Sequence, residues 1–248
     1  MAIKLGSTDI NSVNLGSVGL NKIYSGSDVV FGGVALFDFG NALKFDGIND
    51  YVTIPTISGY SNLTFNIWVK IQTASGYGYI FSDSNGRGIA VREDASGAGF
   101  SAGELYFYTG VLVHTTCIIP FNEWTMISIV FDGATWKIYK NAILQYTVTA
   151  TAFFNINTLG RWNTTTANHF AGTLDELVIY LSDLSPLDIE NIYNSGNYTN
   201  PTSIVASPLS YYEFNESGAE TTLTDSSGNG SDGTLNNFTT PPDYWVAH

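Results

Sequence analysis

The sequence predicts an all-β protein, a two-sheet antiparallel jelly-roll sandwich. Long stretches alternate apolar and polar residues with period two, as in Leu63, Phe65, Ile67, Val69 and Ile71 against Thr64, Asn66, Trp68 and Lys70. About ten such stretches are separated by short turns rich in Gly, Asn, Asp and Ser. A single segment carries helix signals.

Along the chain, the first element is a repeat. Gly6-Ser7, Gly16-Ser17 and Gly26-Ser27 recur every ten residues, with Ile10, Leu20 and Val30 in register. Each unit reads as a Gly-Ser turn followed by a short strand. Ten-residue units cover little apolar surface alone, so residues 1–33 are expected to form an anchor that orders against a partner or against copies of itself. A trimer or another symmetric homo-oligomer would satisfy it.

Residues 34–248 are expected to form the sandwich. Its strands fall at Tyr51–Ile54, 63–71, Tyr79–Ser82, Gly88–Arg92, Glu104–Tyr108, Val111–Ile119, Trp124–Phe131, Trp136–Tyr139, Ile143–Thr149 and Leu174–Leu181. Trp68, Trp124 and Trp136 are expected in the core. Lys140-Asn141-Ala142 leads into a turn where a two-residue hairpin would place Ala142 at positive φ, so another turn type is expected. The one helix opens with Ser185 as N-cap and Pro186 at the first position, and Gly196 follows its end.

Charge and composition exclude whole classes. Nine Lys and Arg against 22 Asp and Glu give −13, which argues against a nucleic-acid partner. Residues 171–248 contain no Lys or Arg. A single cysteine cannot make an internal disulfide, and no apolar run reaches the length of a signal peptide or a membrane span. The expectation is a protein made in the cytoplasm with no membrane segment.

Four segments carry a resemblance. They are Ala42–Pro55, Leu63–Lys70, Trp124–Gly133, and Phe170–Tyr180 running into Leu184-Ser185. In this order they resemble the laminin-G-like branch of the concanavalin A-like lectin/glucanase superfamily, over about residues 36–196. The segment Tyr211–Gly218 followed by Asp225–Leu235 resembles the opening of such a domain, yet it comes last. It is either a truncated second domain or part of a circularly permuted one. In the favoured, permuted case, strands from 208–240 complete the sandwich of their own or a neighbouring subunit. The decamer leader resembles N-terminal segments of bacteriophage virion proteins, tail or fibre.

The resemblance raises catalysis first. A retaining glycosidase needs two carboxyl groups about 5 Å apart. No Glu-x-Asp-x-Glu run occurs, and Glu93-Asp94 and Asp175-Glu176 are adjacent, so in regular strands they face opposite ways. No enzymatic activity is expected. The resemblance permits Ca²⁺, with Asp46, Asn49, Asp50 and Asp175 as its ligands, although Asx residues also cap their own turns. Asp225–Asp232 resembles a calcium loop only in composition. For a glycan ligand the candidates are Tyr77, Arg87, Arg92, Trp162, Asn163 and His169, aromatic faces interleaved with polar side chains. The expected role is a lectin-like virion appendage that attaches, through residues 1–33, to other virion proteins. A purely architectural decoration protein and a bacterial cell-surface adhesin or accessory domain are the alternatives.

Overall fold

A computed structural model describes residues 39–74, 76–94, 101–149, 155–162, 168–239 and 244–248, together with the backbone of four short strands among the first 32 residues. The chain divides into two units, Met1–Asp38 and Phe39–His248. In the first, Ile3–Leu5 pairs with Thr8–Ile10 and Lys22–Ser25 with Asp28–Gly32, both antiparallel. Each pair flanks a Gly-Ser dipeptide of the repeat; Gly16-Ser17 lies outside the described residues.

The second unit is a sandwich of two antiparallel sheets. Its strands are numbered β1 (Asn41–Asp46), β2 (Tyr51–Ile57), β3 (Leu63–Ile71), β4 (Tyr77–Ser82), β5 (Gly88–Arg92), β6 (Glu104–Tyr108), β7 (Leu112–Ile118) and β8 (Thr125–Phe131). There follow β9 (Thr135–Lys140), β10 (Ile143–Thr149), β11 (Ile156–Leu159), β12 (Ala171–Tyr180), β13 (Ser210–Tyr212), β14 (Thr222–Leu223), β15 (Gly233–Asn236) and β16 (Trp245–Ala247). The first sheet runs β7-β6-β5-β4-β11-β2-β15-β14. The second runs β10-β9-β8-β3-β12-β1-β16, with β13 also on β12.

Alternation on the strands makes the core. Leu63, Phe65, Ile67, Val69 and Ile71 of β3 face inward against Phe81, Ile89, Val91, Leu105 and Phe107 of the first sheet. Both sheets are completed from the end of the chain. β15 pairs with β2, placing Leu235 opposite Val52, and β16 pairs with β1, placing Trp245 opposite Leu43. Along β12, β1 covers residues 171–174 and β13 takes over at 177–179.

A β-bulge sits at that handover. Between Asp175 and Val178 the register against β3 gains one residue, and Glu176 takes φ 51°. Leu174 and Leu177 both point into the core, so Asp175 and Glu176 lie together on the outer face. Adjacent carboxylates on opposite faces, the expectation for a regular strand, are therefore not what forms.

Two other expectations are corrected. Trp136 and Trp68 are buried as expected, Trp68 on the outer face of the second sheet, but Trp124 is only half-buried there. Their positions on β3 and before β8 put them out of phase with the inward row. The turn after Lys140 is the two-residue hairpin after all: Lys140 pairs with Ile143, and Asn141 and Ala142 have φ 48° and 64°. The helix α1 (Pro186–Tyr193) has the expected Ser185 cap, with Asp188 completing a capping box, and buries Ile189 and Ile192. A second, one-turn helix, Pro201–Ile204, follows it. No helix of the described residues is long and apolar enough to cross a membrane.

Candidate functional site

The outer face of the first sheet is aromatic where outer faces of sandwiches are ordinarily polar. Residues opposite one another in an antiparallel ladder share a face. Tyr79 of β4, Ala90 of β5, Tyr106 of β6 and His114 of β7 stand in one rank across four strands. Beside them, Tyr77 faces Arg92, and Tyr108 faces Gly88 and Leu112. The small residues of β5 let the flanking rings approach one another. Tyr77 meets Tyr106 edge-on at 5.0 Å between centroids.

Trp162 completes the face from the segment after β11. Its ring lies parallel to Tyr79 at 6.0 Å and 9°, and edge-on to Tyr108 at 6.3 Å. The turn 83–87 receives its edge. Gly86 has φ +76°, and a Cβ there would stand 1.9 Å from the indole nitrogen, so only glycine fits beneath the tryptophan. Asp83 builds that turn: its fully buried carboxylate accepts from the backbone N–H groups of Asn85 and Arg87, both at 2.8 Å, and from Arg87 Nε at 2.8 Å. Tyr79 and Tyr106 form the floor. Tyr77, Tyr108 and Trp162 are half-buried and keep ring surface toward solvent.

The structure thus brings Tyr77 and Trp162 onto one face and assigns the arginines to its support. Arg92 is 6% exposed, lies over the Tyr77 ring at 4.5 Å and is paired with Asp94 at 2.6 Å. Arg87 is held by Asp83. His169 is buried, and burial, with Arg161 nearby, lowers its pKa. Asn163 lies outside the described residues. Tyr106, Tyr108, Gly86 and the pair Glu104–His114, 3.0 Å apart, belong to the face but not to the set read from the sequence.

On the outer face of the other sheet, the bulged Asp175-Glu176 pair is closed off from solvent. Both residues are 0% exposed. Tyr211 donates its hydroxyl to Glu176. Asp175 meets His248 Nδ1 at 2.6 Å, and the His248 ring is clasped between Phe39 and Trp124 at 3.7 and 3.9 Å. Burial pushes the Asp175 carboxyl up to about 10 and that of Glu176 up to about 8, while it pushes His248 down to about 3.

With this geometry in view, a family model described as the Concanavalin A-like lectin/glucanases superfamily matches residues 46–190, more than half of the sequence. The chain belongs to this superfamily. Among solved structures, a putative carbohydrate binding protein from Bacteroides ovatus aligns with TM-score 0.66 and 15% identity, over 85% of this chain and 62% of that one. The chain thus spans less than two thirds of that relative. Domain 4 of AbnA, a GH43 extracellular arabinanase from Geobacillus stearothermophilus solved with arabinotriose, aligns with TM-score 0.50 and 22% identity, over 64% of this chain and 81% of that domain. At such identities the likeness is one of fold. No curated protein sequence matches the chain.

In this lectin/glucanase-type sandwich, the expected calcium ligands do not converge. Asp46 Oδ1 accepts from the N–H groups of Ile48, Asn49 and Asp50 at 2.8, 3.1 and 3.4 Å. Asp50 Oδ2 accepts from Asp46 N at 3.0 Å, and burial, then the Asp46 charge, push the Asp50 carboxyl up to about 6. Asp175 stands four residues beyond the partner of Asp46 along β12, about 13 Å away. The turn is an Asx cap, with Asp46 Oδ1 turned to the backbone of its own loop. The Asp225 loop is likewise closed on itself, its carboxylate accepting from Tyr211, Ser227 and Ser231. Among the described residues no group of three or more His, Cys, Asp or Glu is placed to hold a metal.

Two outcomes are expected. Asp46→Ala should cost about 1–2 kcal/mol, by the loss of hydrogen bonds to a charged acceptor. In thermal melts that loss should be the same with calcium or with EDTA; an EDTA effect on the natural protein that Asp46→Ala removes would restore a metal at this turn. The second concerns pH. Above the ordinary His range, Asp175 and Glu176 bind more protons folded than unfolded, so stability should fall as pH rises from 6.5 to 9. Glu176→Gln, which keeps an acceptor for Tyr211, should flatten that slope; an unchanged slope would show that Glu176 is ionised in the folded protein.

Proposed function

We propose that the sandwich is a non-catalytic carbohydrate-binding domain whose ligand lies across Tyr77, Tyr108 and Trp162. The observation that carries this reading is the aromatic face itself. Half-exposed rings backed by buried Tyr79 and Tyr106 offer flat apolar surface at fixed positions, the surface on which the C–H faces of sugar rings stack. Glu104 and His114 at the β7 end supply polar partners for hydroxyls. The names of the Bacteroides ovatus protein and of the arabinotriose-bound domain support the same ligand class. The absence of catalysis is supported by the closure of the Asp175-Glu176 pair, which leaves no room for a glycosidic bond between the carboxyls.

The decamer repeat supports a second part of the proposal, that residues 1–33 attach the domain to a larger assembly of the virion-appendage kind. Many weak sites carried on one particle bind collectively far more tightly than one.

Glycan-array screening followed by calorimetry tests the reading. Trp162→Ala should reduce saccharide affinity at least tenfold, and Tyr108→Ala should reduce it by less, both with native-like far-ultraviolet circular dichroism. Binding that survives both substitutions, or no binding across a broad panel, would overturn it. Hydrolysis of a β-glucan by the purified chain would overturn the non-catalytic part.

A further inference from the structure

The aromatic face also carries information about ligand charge. Recognition of a sugar carboxylate calls for a guanidinium or ammonium group able to turn its donors toward the ligand. Of the nine basic residues, four lysines lie on β1, β3 and β9 of the opposite sheet, and two more lie in the first 32 residues. The remaining three are Arg87, Arg92 and Arg161. All are engaged. Arg92 is buried, bound to Asp94 at 2.6 Å and laid over Tyr77. Arg87 directs Nε and Nη2 onto one oxygen of buried Asp83, at 2.8 and 2.7 Å. Arg161 lies 3.4 Å over the ring of Tyr51, on β2.

Arg87 and Arg92 are thus each neutralised by a carboxylate, within a chain of net charge −13. An anionic ligand would meet a repulsive long-range field and would have to compete with Asp83 and Asp94 for Arg87 and Arg92. A neutral ligand meets neither cost. The rank Tyr79, Ala90, Tyr106, His114 crosses four strands, a span of about 14 Å, which is longer than one sugar ring.

We infer that this face takes an uncharged oligosaccharide and discriminates against sialylated and uronate-bearing glycans, Arg87 and Arg92 being committed to Asp83 and Asp94 as supports for the rings. The inference rests on the carbohydrate-binding reading above. Calorimetry on the full chain tests it, with neutral mono- to tetrasaccharides beside size-matched chains bearing sialic or uronic acid. Neutral chains should bind at least tenfold more tightly than their acidic counterparts. Their affinity should rise from one to three sugars and change less than twofold between low and physiological salt.

Asp94→Asn keeps an oxygen for the Gly76 N–H while releasing Arg92 from a full charge. It should narrow the neutral preference at least threefold. Asp83→Asn reads the same effect at Arg87, in case the first variant melts early. Acidic chains that bind as tightly as neutral ones, with binding lost in Trp162→Ala, would overturn this inference and leave the carbohydrate-binding reading standing. A preference unmoved by both Asp variants would overturn the role given to the arginines. Absence of binding in both series would overturn the two readings together.

Discussion

Every strand in the interior of a sheet needs hydrogen-bonding partners on both sides, and here β1 and β2 each find one of theirs in the last forty or so residues of the chain. That requirement shapes the rest. β15 closes the first sheet beside β2, and β16 and β13 close the second along β1 and β12. Because β12 must change neighbours from β1 to β13 along its length, it carries a bulge at the change. The bulge turns two acidic residues to one side, and Tyr211 and His248 of the closing segment cover them. The unusual chemistry of the second sheet is thus a consequence of how the ladder is completed, and its carboxyls are shielded rather than presented.

The first sheet is used differently. Its inner face is ordinary core, whereas its outer face carries rings on β4 and β6 separated by Ala90 and Gly88 of β5. Small residues between large ones let the rings brace one another, and the buried Asp83 fixes the turn that receives Trp162. Arginine acts here through its plane as much as through its charge: Arg92 props Tyr77 from below, and Arg161 covers Tyr51. The tyrosines of this face are positioned by strands of the scaffold.

Much of this was legible in the sequence, and the illegible parts share a cause. Period two on β3 located the strand, its buried row and its outer row, because burial on one face imposes alternation. Trp162 stood out as an aromatic residue in a polar stretch. Tyr106 and Tyr108 did not, because β6 is apolar on both faces and alternation then carries no contrast. The bulge at Asp175-Glu176 was illegible, since one inserted residue is defined only against a partner strand. The same holds for Asp175 and His248, 73 residues apart, whose meeting is set by topology. Ala142 misled for another reason: β9 and β10 hold it in a left-handed conformation that the residue disfavours on its own.

The central claim is that ligand binding is located on the outer face of the first sheet, with the sheet rims and the acidic C-terminal turns uninvolved. Nuclear magnetic resonance titration of the labelled protein with an array-identified oligosaccharide locates the ligand directly. The account predicts that the largest shifts fall on the indole N–H of Trp162 and on the amides of residues 77–79 and 106–108, with the Asp46 and Asp225 turns unmoved. Shifts centred on either of those turns, with the Trp162 signal unchanged, would contradict it.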